Sequence, residues 1–412
     1  MNLISTLFGR RGNTYPLRDL NAKNIVAGSV AGLLALTGPP ILILEAAANG
    51  NFTMEQTVLW VFATFVFGGL YSIFVPLYYR VPVVGAQTLT GIAFLITVTS
   101  EFSFSELVGA YIFSGLLMFA VGYFGAFAKV ISYIPKEIIS AMLAGMIAKF
   151  MINFVLSIND LPLIGLFSLI SYFVFMKWMK RVPPIAGALI VGLILLFLTE
   201  PLTKGEQTLS FVIPYIQVPE VNVISFIAVS IPLALLILSN DAAVGIAALK
   251  QNNFNPPVNQ IVSLSGIFSM LAGVFGGQSA NSAGVMSAIC SDDDAGPKEK
   301  RYMGAVVTGV QSIIIGVFAW KLLPFVQSLP QAFVAMVIGF GLLIVFGNSL
   351  QQGFSNPNYR VSSALAFIIA ASGISISLIS APIWAMLIGT IVARFIESEK
   401  PEQQVKGERE AV

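Results

Sequence analysis

Gly276-Gly-Gln-Ser-Ala-Asn-Ser-Ala-Gly-Val-Met286 interrupts an otherwise apolar part of the chain. Glycine pairs free the backbone for a turn, and Ser and Asn favour helix starts over helix interiors. A helix is therefore expected to begin only after this stretch, part-way across an apolar segment. In hydrocarbon every backbone polar group needs an internal partner, so extended chain at that depth must be buried in protein or line a cavity. A second stretch reads the same way: Arg80-Val-Pro-Val-Val-Gly-Ala-Gln-Thr-Leu-Thr-Gly91. The valines and Pro82 suit an extended chain. Gly85 permits a turn, and Gln87, Thr88 and Thr90 open a helix. Together the two stretches predict half-helices whose N-termini face each other near mid-membrane. Each such end carries about half a positive charge and several free N–H donors, and so binds an anion without Arg or Lys. The competing reading is close packing of small residues. Idle amides at Gln278 and Asn281 would be costly in lipid, which weighs against it.

Composition sets the solvent. Of the 412 residues, 56% are apolar and only 10% are Asp, Glu, Lys or Arg, against roughly 25% charged in a soluble domain. Mean hydropathy is +0.85. Lipid must surround most of this chain. The absence of histidine excludes a Ser-His-Asp triad, His-ligated zinc and an imidazole proton relay. The single cysteine, Cys290, excludes an intramolecular disulfide and a CxxC site. A net charge of +2 leaves no footprint for nucleic acid. No metal-ligand cluster or nucleophile–base pair suggests an enzyme, and no cofactor is expected.

Apolar segments long enough to span a bilayer lie near 22–44, 56–76, 82–99, 105–127, 136–157, 160–180, 183–200, 221–249, 258–275, 278–291, 302–322, 329–349, 360–378 and 381–398. With the N-terminus in the cytoplasm and strict alternation, 19 of the 22 Lys and Arg residues fall on the cytoplasmic side, as the positive-inside rule demands. Lys204 and Lys321 fall outside, and Lys149 lies within a span. Arg10 and Arg11 interrupt any signal-peptide core. The expected fold is all-α and polytopic, with 14 spans and both termini cytoplasmic.

Seven spans per half would place a duplicated half upside down. Pro184-Ile185 opens span 7 and Pro382-Ile383 opens span 14. Ile134-Pro135-Lys136 opens span 5 and Leu329-Pro330-Gln331 opens span 12. Gly85-Ala-Gln-Thr88 matches Gly276-Gly-Gln-Ser279. The offsets are 198, 195 and 191 residues. Inverted repeats with broken helices at matching positions are a mark of secondary transporters, and the broken helices mark the site.

Few ionisable groups lie deep. Asp241, in Ser239-Asn-Asp-Ala-Ala-Val-Gly245, precedes Lys250 by nine residues, or ~13 Å along a helix. A charged Asp at a helix centre costs about 2.5–3.5 kcal/mol on insertion scales, so its default reading is functional. Burial favours its protonated form, which suits reversible proton binding. Asn240 beside it can donate or accept hydrogen bonds. The bland alternative is an Asp bonded to a neighbouring helix end. Lys149 either snorkels to the interface or attracts anions. Glu45 reads as water-facing at the outer mouth, and Asp292, Asp293 and Asp294 as a solvated loop. Thr37-Gly38-Pro39-Pro40 breaks span 1 and brings Thr37 toward the cavity.

The broken spans 3 and 10 and the acidic residue in span 8 resemble the 7+7 inverted-repeat fold of nucleobase/ascorbate symporters and sulfate-permease-like anion transporters. Within that group the chain is most similar to the benzoate/proton symporter (BenE) family. Ser239-Asn240-Asp241, Gly276 to Met286 and Val81 to Gln87 carry the likeness, which covers about residues 15–395. It implies a core domain of spans 1–4 and 8–11 (22–127 and 221–322) and a gate domain of spans 5–7 and 12–14 (128–200 and 323–398). The flanks would be a cytoplasmic N-terminal segment (1–21) and a cytoplasmic tail (399–412).

It also implies proton symport of a small aromatic carboxylate across the inner membrane by elevator-type movement, with a homodimer forming through the gate domain. Gln87, Thr88, Thr90, Asn240, Gln278, Ser279, Asn281, Ser282 and Thr37 would contact the substrate, with Phe94 among the apolar neighbours, and Asp241 would take the proton. Nucleobase symporters carry carboxylates on both spans 8 and 10. Here span 10 has Asn281, which favours an anion over a neutral base. The rival expectations are a nucleobase/proton symporter and an uncoupled anion channel or exchanger.

Overall fold

A computed structural model describes residues 16–129, 134–179, 182–199, 211–376 and 379–397. Expectations that fall on residues 1–15, Lys180, Arg181, Lys204 and the 399–412 tail lie outside the described residues, as does the side chain of Thr37. Each of the predicted apolar segments contains helix. The first half holds α1 (Ala22–Thr37), α2 (Pro39–Asn49), α3 (Met54–Tyr79), α4 (Leu89–Ile96), α5 (Phe104–Tyr123), α6 (Lys136–Asp160), α7 (Pro162–Trp178) and α8 (Pro184–Thr199). The second holds α9 (Val223–Gln251), α10 (Val258–Val274), α11 (Gly284–Ser291), α12 (Tyr302–Val317), α13 (Ala319–Gln327), α14 (Gln331–Gly353), α15 (Arg360–Ser372) and α16 (Ala381–Phe395).

Local chemistry sets the helix starts. Thr53 with Gln56, and Ser103 with Glu106, form reciprocal capping boxes at α3 and α5, each satisfying two donors that helix ends leave free. The predicted break at Gly38 is present. Pro39 and Pro40 carry no N–H, so the last carbonyls of α1 lose their helical donors. The Gln87 side-chain amide donates to one of these, Ala35 O, at 3.4 Å.

Three features depart from the sequence reading. Helix α15 stops at Ser372 rather than near 378. Gly373 takes φ 65°, a left-handed C-cap that ends the helix, and a small hairpin follows, β3 (Ser375–Ile376) with β4 (Ile379–Ser380). The eleventh segment is not one straight rod, because α12 turns by 70° into α13. Helix α9 contains two π-helical turns, Phe226–Ser230 and Ile237–Ala242. These and a second two-stranded pair described below are additions to the all-α expectation.

Among the described residues six helices, counting α1 with α2, are long and apolar enough to cross a membrane, or seven if α12 and α13 form one span. Helix α3 lies along α12, α5 along α10, α6 along α14 and α15, and α7 along α8. Leu163, Phe167 and Ile170 of α7, with Ile190, Ile194 and Phe197 of α8, are exposed. Such an apolar exterior suits lipid, not water.

Candidate functional site

The two interrupted stretches meet. Gly85–Ala86 (β1) pairs antiparallel with Asn281–Ser282 (β2), Gly85 opposite Ser282 and Ala86 opposite Asn281. The pair lies between the N-termini of α4 and α11, so both half-helices start from one small sheet. Close approach explains the glycines. A Cβ on Gly85 would stand 2.4 Å from Gly68 O and 2.8 Å from Ser72 N of α3, and one on Gly284 would stand 3.1 Å from Asp241 O.

A two-residue sheet leaves open edges, which hydrocarbon does not tolerate. Serine hydroxyls close them. Ser269 Oγ accepts from Ala280 N at 3.0 Å, and Ser265 Oγ accepts from Ser282 N at 3.1 Å. These serines are one turn apart on α10, ~6 Å, which matches the ~6.6 Å between alternate strand residues. On the other strand, Ser287 Oγ accepts from Val84 N at 3.0 Å, and Val84 O accepts from Ala283 N at 2.8 Å. Replacing Ser265 or Ser269 with alanine orphans a buried N–H, so each change should lower unfolding stability by about 1–3 kcal/mol. Thermal unfolding in detergent checks this.

Asp241 lies in the second π turn of α9, beside this sheet. Asn281 Nδ2 donates to Asp241 Oδ2 at 3.4 Å, and the Thr88 hydroxyl lies near the carboxyl group. Thr88 caps α4 by accepting from Gly91 N at 3.1 Å, and its hydroxyl lies 3.2 Å from that of Thr90. Ser279 Oγ accepts from Thr88 N at 3.2 Å. Thr88, Thr90 and Ser279 are thus linked, as are Asn281 and Asp241, and the pairing of β1 with β2 brings the two sets together as one polar group. No side chain caps α11 at Ala283, which leaves its first N–H groups facing the same junction. Asn240 adjoins Asp241, and among the described residues neither its Nδ2 nor Asn281 Oδ1 has a partner.

The remaining sequence candidates adjoin that group but make their side-chain bonds elsewhere, and Asn281 Nδ2 also donates to Ser282 O at 3.2 Å. Gln87 reaches the Ala35 carbonyl, as described. Gln278 Oε1 accepts from the Trp60 indole N–H of α3, and Gln278 Nε2 has no partner among the described residues. The Ser282 backbone is held by α10, and its hydroxyl is unpartnered. Phe94 is fully buried in the core. Lys149 is exposed on α6.

Two clefts lie along the α1–α2 pair, and no residue of the polar group lines them. One of about 480 Å³ is bordered by Glu45 of α2, Asn153 of α6 and Gln331 of α14. The other, about 670 Å³, is bordered by Lys23 and Leu34 of α1, Pro184 of α8, Val285 of α11 and Ile344 of α14. They open toward opposite ends of the α1–α2 pair. Between those ends, a Cβ on Gly341 of α14 would stand 3.8 Å from the Gly38 Cα and 3.4 Å from the Ile185 side chain of α8.

Sequence reasoning missed two functional neighbours. The π turn has no signature in Ser239-Asn240-Asp241. Arg301, counted there only among the basic residues of the cytoplasmic side, is 7% exposed. It donates to Ser291 O at 2.8 Å and Gly296 O at 2.7 Å, and pairs with Asp293 at 2.5 Å. Asp293 is exposed, as expected of a solvated loop, and pairs with Arg301 from there. Ser291 is the last residue of α11, so a cation closes the negative end of the half-helix whose positive end faces the junction. Arg301→Gln should lower stability by roughly 1–3 kcal/mol through the lost carbonyl contacts, read by thermal unfolding.

The BenE family, described as benzoate membrane transport protein, matches residues 18–395. A benzoate membrane transport protein of Acinetobacter baylyi is 28% identical over 380 residues, covering 92% of this chain and 96% of its own. The inner membrane protein YdcO of Escherichia coli is 27% identical over 373 residues, covering 89% and 94%. Among solved structures, the transmembrane domain of a cyanobacterium bicarbonate transporter, BicA, has a TM-score of 0.59 at 15% identity, covering 92% of this chain and 99% of its own. Murine Slc26a9, an anion transporter captured in the inward-facing state, has a TM-score of 0.56 at 14% identity, covering 94% and 73%. At such identities the structures speak to the fold alone.

Proposed function

Because the chain belongs to the benzoate membrane transport protein (BenE) family, we propose that it imports a small aromatic carboxylate together with protons. Membership makes it a multi-pass membrane transporter, not an enzyme. The observation that carries the finer reading is the contact of Asp241 with Asn281, beside Thr88, where both half-helices begin. The substrate carboxylate sits on the free N–H groups of α4 and α11, whose dipoles favour an anion. Thr88, Thr90, Ser279 and Asn281 orient it, and Asn240 supplies a further donor.

Asp241 takes the coupling proton. Its charge beside a bound carboxylate would be repulsive, so protonation and substrate binding favour each other. Two like charges at one site are thereby avoided, and coupling follows from electrostatics. An amide rather than a second acid at 281 keeps the site to one ionisable side chain.

In this reading the helices form two inverted repeats of seven spans. The equivalent placing of α3 on α12 and of α10 on α5 supports that duplication. Spans 1–4 and 8–11 act as the moving core and the others as the gate, with the exposed faces of α7 and α8 available to a second copy. The two clefts support alternating access, each serving one side of the membrane. The distribution of Lys and Arg supports cytoplasmic termini in an inner membrane.

Uptake of labelled benzoate into proteoliposomes tests the reading. Accumulation should require an inward proton gradient and collapse with a protonophore. Flux indifferent to the proton gradient would instead identify an uncoupled anion pathway, and displacement of benzoate by uracil or xanthine a nucleobase carrier.

A further inference from the structure

Trp60 lies on α3, outside the polar group at the half-helix junction. Its indole N–H donates to Gln278 Oε1, and both residues are fully buried. An indole nitrogen can donate but never accept. The orientation of the Gln278 amide is therefore fixed by chemistry: oxygen to Trp60, nitrogen away from it. Gln278 Nε2 then keeps two donor hydrogens and has no acceptor among the described residues. The ring of Tyr111 lies 5.9 Å from that of Trp60, and its hydroxyl is also buried without a partner. Unmatched donors in an apolar interior destabilise the protein unless another group meets them.

We propose that Trp60 is a specificity-determining positioning residue. By holding the Gln278 carbonyl oxygen at its indole N–H, it turns the two amide N–H donors away from α3, and so toward a carboxylate ligand. This rests on the reading of the protein as an aromatic carboxylate carrier and extends it to the choice between charged and neutral aromatics. A carboxylate offers only acceptors. A neutral amide of the same shape, such as benzamide, offers an N–H that needs an acceptor, and the Gln278 oxygen is turned toward Trp60. With phenylalanine at position 60 the Gln278 amide is free to turn, so its donors are no longer held toward a carboxylate and its oxygen can meet an N–H.

Purified full-length protein in detergent, titrated with benzoate and with benzamide, tests this. In Trp60→Phe, benzoate should bind roughly tenfold more weakly, the loss expected for a hydrogen bond to a charged group, while benzamide binds no more weakly than to the original protein. Gln278→Met should lose the same preference for benzoate. The double variant should be no worse than Gln278→Met alone, because Trp60 acts only through Gln278. If Trp60→Phe does not yield folded protein, the loss of preference in Gln278→Met decides the matter. Equal weakening of both ligands, or additive effects in the double variant, would show that Trp60 merely packs or that the orphaned donors serve an internal water. Failure of the unaltered protein to bind any aromatic carboxylate would overturn the carrier reading itself, an outcome distinct from normal benzoate binding with a silent Trp60→Phe.

Discussion

Asp241→Asn is expected to abolish proton-driven accumulation of benzoate while leaving exchange of labelled for unlabelled substrate in place. Asparagine has nearly the volume of aspartic acid. Its amide can hydrogen-bond Thr88 and Asn281, which contact Asp241 in the folded chain. It cannot ionise, so it imitates the protonated carrier permanently. Substrate then crosses in both directions without releasing a proton, and uptake stops at equilibrium. Two measurements on one preparation separate the steps: counterflow reports movement, and uptake under an imposed pH gradient reports coupling. Undiminished accumulation in Asp241→Asn sinks the coupling role of this residue. Loss of both activities with normal thermal stability would reassign it to substrate binding.

Gly85→Val should produce the largest structural effect. The new Cβ would meet Gly68 O at 2.4 Å, the Tyr71 ring at 2.6 Å and Ser72 N at 2.8 Å. Two of these are backbone atoms of a long helix, which cannot rotate aside as a side chain can. Either β1 withdraws from α3 and loses its pairing with β2, or α3 shifts away from α12. Overpacking costs about 1–3 kcal/mol in ordinary cores and occasionally more. A site that also holds backbone hydrogen bonds belongs at the upper end. The readout is the melting temperature in detergent, with benzoate binding measured on whatever folded fraction remains. A melting temperature within a degree of the original would contradict the close approach of β1 and α3.

The large features of this molecule are legible in the chain because lipid simplifies the rules. Extended pieces before α4 and α11 follow from Pro82 and from Gly276-Gly277, since those residues cannot continue a helix at no cost. The break at Gly38 follows from two prolines. Asp241 announces itself because a lone carboxylate in an apolar run is rare.

What escaped notice depends on pairs of residues far apart. Nothing in Trp60 marks it as the partner of Gln278, 218 positions away. Arg301 has the composition of a loop charge, and only the folded chain reveals that it closes α11. The π turn at Ile237–Ala242 is a matter of hydrogen-bond register, to which apolar periodicity is blind. Gly373 was readable as a stop, but a run of apolar residues on either side of it masked the short hairpin.

The small sheet has one more consequence. Its strands come from opposite halves of the chain, and their backbone pairing joins α4 to α11 as a single carriage that α10 braces through two hydroxyls. In the proposed cycle a substrate held between those helices is conveyed without being released from any of its partners. Binding strength should then be the same whether the carriage stands open to one compartment or to the other. Nothing in such a machine prefers import to export. Direction comes wholly from the two gradients, and reversing them should run the carrier backwards at comparable substrate affinity.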